Sequence, residues 1–145
     1  TWFYMGTPIG RKRIVKLFSR ILRKEKDGSY VLVTPVEKIS IEVEDVPFIA
    51  NSVEISGKNK ECNLKFSTNV GDSIIASKNF PIRVEINPDN LEPAPYVLIR
   101  SNLEAKISRP VFYELVDIAE HKDKKFGVWS GGKFFPFTDS KDLNI

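Results

Sequence analysis

The 145 residues suffice for one ordinary domain or two small lobes, and a hydrophobic share of 41% excludes a disordered chain. The 22 basic and 19 acidic residues leave a net charge of +3, which is too small to imply a polyanionic partner by itself. The single cysteine excludes an internal disulfide framework and favours a cytoplasmic protein, and no apolar run approaches the roughly 20 residues of a membrane helix.

The first third of the chain predicts a strand, a helix and two further strands. Residues 2–5 are an aromatic strand, and a loop rich in glycine and proline follows it. Residues 13–22 are predicted to form a helix with one buried stripe, because apolar residues recur at helical spacing at Ile14, Leu17, Phe18, Ile21 and Leu22. Residues 30–33 and 36–43 are predicted strands, and the second alternates polar and apolar residues as a half-solvated antiparallel strand does.

The middle of the chain predicts strands joined by turns. Four segments read as strands bounded by turn residues: 52–56, 63–66, 73–76 and 82–86. Residues 87–95 contain three prolines and are predicted to be a linker before the last third.

The last third repeats the mixture of strand and helix. A strand is predicted at 96–100, followed by a polar loop and a helix from Arg109 to His121, for which Ser108 is a suitable N-cap. Strands at 126–130 and 133–137 are predicted to form a hairpin, because Gly131-Gly132 is a strong two-residue turn signal.

The first and last thirds therefore predict the same succession of elements. Residues 2–42 and 98–138 are interpreted as an internal repeat bridged by a β-rich middle, 51–95, although helices and strands also alternate in compact domains without duplication. The predicted fold is a single compact unit over residues 1–145 of the α+β class. It has mainly antiparallel sheets, two principal helices, pseudo-repeated β-α-β-β units and a cleft between two similar lobes.

The turn at 68–72 is the best local candidate for a binding site. Its hydroxyl, amide and carboxylate groups suit a phosphate or a sugar hydroxyl, although an ordinary Asx turn uses the same residue types. Arginine suits carboxylate and phosphate recognition, but it equally suits structural ion pairs. We therefore predict a non-enzymatic ligand-binding or signalling module that holds a small anionic or polar ligand in the inter-lobe cleft through Arg13, Glu37, Thr68, Asn69, Asp72, Arg100 and Arg109.

A basic segment, 11–26, supports an alternative function. It carries eight basic residues and one acidic residue, and a basic helix there predicts a protein or RNA interaction module. Charge runs on helices are more often simply solvated, and no recognisable nucleic-acid motif accompanies this one, so a nucleic acid is not the expected partner. The second predicted helix is acidic, which is compatible with a homodimer, and no membrane partner is expected.

Several catalytic chemistries lack the residues that they need. The only histidine, His121, and the only cysteine, Cys62, are far apart in the sequence, so neither a zinc ligand set nor a nucleophile–histidine pair can be assembled. We therefore predict no catalytic residue, no metal and no cofactor. An enzyme working through carboxylates and arginines is the third and last alternative.

Short segments stand in a specific order along nearly the whole chain, namely Trp2-Phe3-Tyr4, Gly6-Thr7-Pro8-Ile9, Leu17-Phe18, 30–38, 43–48, 68–72, Leu103-Glu104-Ala105, Arg109 and 128–135. This order resembles an uncharacterised proteobacterial family of small domain-of-unknown-function proteins. The resemblance implies a cytosolic α+β protein with repeated structural motifs, no assigned activity and a part in signal transduction. Members of the family usually carry more residues before the aromatic segment. Because the sequence begins at Thr1, we expect native residues to precede it.

Overall fold

Five short strands from the first third form an antiparallel sheet in the order β2-β1-β5-β4-β3. The computed structural model describes residues 1–10 and 12–139, without the side chains of Lys12 and Arg13. These strands and the helix that follows β2 make up the amino-terminal unit: β1 (Trp2–Tyr4), β2 (Thr7–Pro8), α1 (Lys12–Ser19), β3 (Leu22–Lys24), β4 (Tyr30–Val33) and β5 (Lys38–Val43).

A six-stranded sheet follows in the order β8-β7-β6-β11-β10-β9. Its strands are β6 (Phe48–Ser56), β7 (Asn63–Thr68), β8 (Ser73–Ile75), β9 (Ile82–Ile86), β10 (Pro93–Arg100) and β11 (Leu103–Ile107). Strand β11 pairs in parallel with β6, so that Ala105 lies opposite Phe48 and Ile107 opposite Ala50. The other pairs among the described strands are antiparallel.

The last part of the chain adds helix α2 (Arg109–Asp117) and a three-stranded sheet. The strands are β12 (Glu120–Lys122), β13 (Lys125–Ser130) and β14 (Lys133–Asp139), in that order. Helix α2 packs on this sheet through the rings of Phe112 and Phe137, whose centroids are 5.0 Å apart. Strands β6–β14 and α2 together form the carboxy-terminal unit.

One hydrophobic core runs through all three sheets. Leu22 of the first sheet, Phe48 and Phe66 of the second and Val128 of the third belong to the same cluster of buried side chains. The two units therefore share apolar packing, which places any polar group at their junction against a close-packed core.

The predicted fold class is confirmed: the structure is α+β, with two helices and mostly antiparallel sheets in the part of the chain that it describes. The hairpin across Gly131-Gly132 and the strand at 82–86 lie where the sequence predicted them. Neither α1 nor α2 is long enough to cross a bilayer, and the described residues contain no other helix that could.

The predicted boundaries were wrong in the first and last thirds. Helix α1 ends at Ser19 rather than at residue 22, because Leu22 is fully buried in β3. The predicted basic helix over 11–26 is therefore divided between a helix and a strand. Helix α2 similarly ends at Asp117, and His121 lies in β12 with its ring 5.0 Å from that of Phe126.

Two connections predicted as irregular contain strand. The polar loop after residue 100 includes β11, whose buried Leu103, Ala105 and Ile107 alternate with polar residues as a strand requires. The predicted linker at 87–95 is a hairpin connection, because Pro93 already pairs with Ile86. Both were missed because polar and proline residues mask a short strand pattern.

The two parts interpreted as a repeat share an order of elements but not their sheet pairing. Each part has a hairpin, a helix and three consecutive strands. In the amino-terminal unit β1 pairs with β5, so that hairpin and strands form one sheet. In the carboxy-terminal unit the hairpin β10–β11 belongs to the six-stranded sheet, while β12–β14 form their own. The internal duplication remains a prediction.

The hydroxyl of Ser130 ties the three-stranded sheet to the six-stranded one. It is fully buried, donates to the carbonyl of Ala76 at 2.7 Å and accepts from the N–H of Leu64 at 2.9 Å. We predict that Ser130→Ala lowers the free energy of unfolding by about 1–3 kcal/mol, because two buried backbone groups lose their partner. Urea denaturation measures the change. Ser40→Ala, at an exposed position of β5, is the control and should shift stability by less than about 0.5 kcal/mol; equal effects would contradict the assignment.

Candidate functional site

The two units meet where the chain leaves β5 and enters β6. The indole N–H of Trp2 in β1 donates to the carbonyl of Pro47 at 2.9 Å. The ring of Trp2 also packs on that of Phe48, with centroids 6.5 Å apart. Both rings are almost completely buried, so this contact joins the units through their core.

The predicted polar turn between β7 and β8 lies at this junction. The Thr68 hydroxyl accepts from the backbone N–H groups of Val70 and Asp72 at 3.3 and 3.2 Å, and it is buried. Gly71 adopts a φ of +92°, a left-handed conformation that favours glycine. Thr68 therefore stabilises the turn itself, and its hydroxyl is directed inward.

Asn69 fastens the same turn to strand β6. Its backbone N–H donates to the carbonyl of Ile49 at 3.0 Å, and its side-chain oxygen accepts from the N–H of Ile49 at 3.0 Å. The side chain is exposed, and its amide nitrogen has no partner among the described residues. A hydrogen-bond donor of Asn69 thus remains available beside the turn.

Arg100, at the end of β10, reaches from the carboxy-terminal unit to the amino-terminal one. Its guanidinium donates to the carbonyl of Ser19 in a short hydrogen bond and lies 5.6 Å from the ring centroid of Phe48. Its Nε is 4.0 Å from Oδ2 of Asp72, which is beyond hydrogen-bond distance. Both of these atoms are buried, and neither has a hydrogen-bond partner among the described residues.

Lys16 of α1 completes the group from the other unit. A β-carbon placed on Gly71 would lie 3.4 Å from Cε and 3.5 Å from Nζ of Lys16, so the amine lies over the turn. We call Lys16, Asn69, Asp72 and Arg100 the junction cluster. It contains two cations and one carboxylate, drawn from both units.

A hollow of about 360 Å³ borders this turn at the same junction. Its walls include Trp2 and Val15 from the amino-terminal unit and Ile49, Asn69 and Val70 from the carboxy-terminal unit. We call it the junction hollow. Its volume is within the range of small-molecule sites, and Asn69 connects it to the junction cluster.

The remaining predicted site residues lie elsewhere. Arg109 lines another hollow, of about 350 Å³, together with Lys106, Tyr113 and residues 93–95. Pro95, the residue of β10 in this wall that is nearest to Arg100, precedes it by five strand positions, which corresponds to about 17 Å. Glu37 lines a third hollow, beside α1. The Arg13 side chain lies outside the described residues.

Sequence reasoning did not place Lys16, Ser19 or Phe48 at the site. Lys16 belonged to the basic run, but nothing in the sequence indicates that it lies over Gly71. The carbonyl of Ser19 is available because α1 ends there, and that ending was itself mispredicted. The contact of Phe48 with Arg100 depends on the order of strands in the six-stranded sheet, which no local pattern encodes.

A second polar contact between the units is fully paired. The Tyr96 hydroxyl donates to Asp45 at 2.8 Å, and Lys106 lies 3.7 Å from the same carboxylate. Arg83 stacks on the Tyr96 ring at 4.2 Å and donates to both carboxylate oxygens of Glu104. Burial first, then the hydrogen bond to Asp45 and its negative charge, raise the pKa of Tyr96 to about 12.

No group of three or more histidine, cysteine, aspartate or glutamate side chains is placed to hold a metal ion within residues 1–10 and 12–139. Cys62 is buried, and burial raises the pKa of its thiol. The described chain therefore offers hydrogen-bonding and ionic groups at the junction, without an evident nucleophile or metal centre.

Two family models match the chain. One is described as a domain of unknown function (DUF1285), N-terminal domain, and matches residues 1–46. The other is described as a protein of unknown function (DUF1285), C-terminal domain, and matches residues 47–137. The boundary between them falls in the connection from β5 to β6, where the two units meet. A comparison with curated proteins found no match.

Two crystal structures are similar to this one. A DUF1285 family protein from Silicibacter pomeroyi DSS-3 is 49% identical with a TM-score of 0.92, and the match covers 100% of this chain and 79% of that chain. A DUF1285 family protein from Shewanella baltica OS155 is 29% identical with a TM-score of 0.57, and the match covers 80% and 84% respectively. Both similarities extend over both units.

The Tyr96–Asp45 contact predicts a defined alkaline response. Because the folded-state pKa of Tyr96 is raised, its stabilising contribution is complete below the ordinary value of 10.0 and is lost as the pH rises to about 12. Tyr96→Phe should therefore be less stable than the parent at pH 8, and this difference should shrink between pH 10 and 12. Urea denaturation across this range measures it. The exposed Tyr113→Phe is the control, and a difference that stays constant with pH would contradict the prediction.

Proposed function

Since the chain belongs to the DUF1285 family, whose function is unknown, we propose that it is a non-enzymatic module that binds a small anionic or polar ligand where its two units meet. The observation that carries this proposal is the pair of buried, unsatisfied polar atoms in Asp72 and Arg100. Buried polar atoms normally have hydrogen-bond partners, and a bound group is one of the explanations for an exception. Asp72 belongs to the turn whose residues Asn69 and Val70 line the junction hollow, and the described walls of that hollow include neither Asp72 nor Arg100.

The cluster supports an anionic or polar ligand rather than an apolar one. Lys16 and Arg100 supply positive charge, and a guanidinium can bind a carboxylate or a phosphate through two parallel hydrogen bonds. Asp72 and the amide nitrogen of Asn69 add an acceptor and a donor, which suit a hydroxyl or amide group of the same ligand. Thr68 contributes by holding the turn in shape.

The proposal assigns no ligand contact to Arg109 or Glu37, because each lines a different hollow. It leaves Arg13 as a further source of positive charge on α1. A ligand that touches Lys16 from one unit and Arg100 from the other would bias how the units pack together. Such a bias is the physical basis on which a signalling role would rest.

The alternative, a protein or RNA interaction module built on the basic segment 11–26, has less support. Its basic residues do not form one face, because Arg23 and Lys24 are in β3. The Arg23 guanidinium donates to its neighbouring carbonyl of Leu22, and the Lys24 amine lies 6.0 Å from the Tyr30 ring centroid. Lys16, for its part, lies over Gly71.

A thermal-shift screen with nucleotides, phosphorylated sugars and small carboxylates tests the proposal. A ligand at one hundred times its dissociation constant should raise the melting temperature by roughly 5–10 °C. Arg100→Lys should remove most of this shift, because lysine keeps the charge but loses the planar donors. Lys16→Met should reduce it.

Arg109→Met is the matched control, because it removes a positive charge at a different hollow. It should retain the full shift. A panel that leaves the melting temperature unchanged would contradict the proposal. So would a shift that depends on Arg109 and survives Arg100→Lys. Circular dichroism of each variant shows that a lost shift is not lost folding, and the exposed Lys16 provides a variant that should fold in any case.

A further inference from the structure

The third hollow lies within the amino-terminal unit, between α1 and its own sheet, and has a volume of about 480 Å³. Its walls include Ile14 and Phe18 of α1, Leu32 of β4, Ile39 and Ile41 of β5, and Tyr4 of β1. We call it the helix hollow. It shares one wall residue, Ile9, with the junction hollow but none of its polar groups.

The sequence pattern of β5 explains why these walls are apolar. Ile39 and Ile41 alternate with exposed Lys38, Ser40 and Glu42, so the strand directs its apolar side chains to the helix. Ile14, Phe18 and Ile39 are nevertheless only half-buried. Apolar groups that should close a helix–sheet interface therefore leave it partly open.

The corresponding interface of the carboxy-terminal unit is closed. There, α2 is followed by three strands in the same order, and the last of them, β14, carries Phe135 and Phe137. Both phenylalanines are buried, and the Phe137 ring packs directly on Phe112 of the helix. In the amino-terminal unit, β5 presents the smaller Ile39 and Ile41, which helps to leave space beside the helix.

Thr34 and Glu37, two of the polar side chains at the helix hollow, differ in whether they already have partners. The Thr34 hydroxyl is engaged with the backbone of its own turn, accepting from the N–H groups of Val36 and Glu37 at 3.3 and 3.1 Å. The exposed Glu37 carboxylate forms no ion pair with any side chain that the structure describes, a set that excludes those of residues 11–13. The described walls thus combine apolar side chains with the exposed Tyr4 hydroxyl and a carboxylate that no described side chain pairs. Such walls are complementary to an aliphatic molecule with a cationic or hydrogen-bond-donating end.

We propose that the helix hollow binds the chain of an aliphatic amine or alcohol, with Glu37 receiving its polar end. The aliphatic walls provide affinity in proportion to the apolar area that they cover. Glu37 provides selectivity, because it attracts an ammonium group, accepts from a hydroxyl and repels a carboxylate. Fatty acids of the same length are consequently poor ligands. The walls of this site include no member of the junction cluster.

Isothermal titration calorimetry with unbranched amines, alcohols and carboxylates of six to ten carbons, each below its micelle concentration, tests the proposal. Affinity should rise about fourfold for each added methylene, as burial of that group requires. Decylamine should bind at least about tenfold more tightly than decanoate at pH 7. At close range, the attraction of Glu37 for an ammonium group and its repulsion of a carboxylate together correspond to more than a tenfold difference in affinity. Glu37→Gln should abolish the preference for decylamine over decanol.

Ile39→Phe fills the hollow. It should weaken the binding of decylamine and of decanol at least about tenfold without lowering the melting temperature of the protein. Ile75→Phe adds the same ring at an exposed strand position and is the control, which should bind as the parent does. If Ile39→Phe lowers the melting temperature, Phe18→Trp fills the space from the helix side instead. The proposal is overturned if no amine or alcohol of the series binds. It is also overturned if decanoate binds as tightly as decylamine, or if neither filling variant weakens binding.

Discussion

The burial of Phe48 is the constraint on which the arrangement of the two units depends. This residue opens β6, is completely buried, and packs on Trp2 of the amino-terminal unit. Full burial of such a side chain contributes about 1.5–3 kcal/mol, so the junction is held by the same force that forms the core. The guanidinium of Arg100 lies over this ring and bonds the end of α1, while the turn 68–72 is fastened to Ile49, the next residue of β6. The polar groups of the junction are therefore positioned by an apolar contact.

Two of the polar contacts between the units, at Tyr96 and at Arg100, differ in whether their buried polar atoms are paired. At Tyr96, the hydroxyl, the Asp45 carboxylate and Lys106 are all paired, so that contact serves stability. At Arg100 and Asp72, two buried atoms remain without hydrogen bonds in the described chain. The two side chains are about one third exposed and lie within ion-pair distance at 4.0 Å, so the cost is that of two buried atoms, Oδ2 and Nε, that lack a hydrogen bond. A bound ligand that bonds to both would recover that cost, which is why we assign binding to this contact and not to the other.

Local patterns predicted much of the fold and little of the site. The alternation in β5, the glycine pair between β13 and β14 and the start of α2 after Ser108 are local features, and each was found from the sequence, although the Ser108 side chain forms no capping hydrogen bond. The parallel pairing of β11 with β6 is non-local, and without β11 the chain between Arg100 and Arg109 looked like one loop that kept the two arginines together. In fact that strand carries Arg109 to the opposite end of β10. Membership of a domain-of-unknown-function family was predicted and is confirmed, whereas the repeat and the signalling role remain proposals.

The central claim is that the junction of the two units, and not another hollow, receives a polar ligand through Arg100. Two-dimensional ¹H–¹⁵N NMR of the labelled protein, titrated with phosphorylated and carboxylate ligands, tests it most directly, because the arginine Nε–H gives its own signal. The account predicts that the Nε–H of Arg100 and the amides of residues 69–72 shift together and saturate at one dissociation constant. Shifts confined to residues 87–95 and 106–113, around Arg109, or no shift with any ligand, would contradict it.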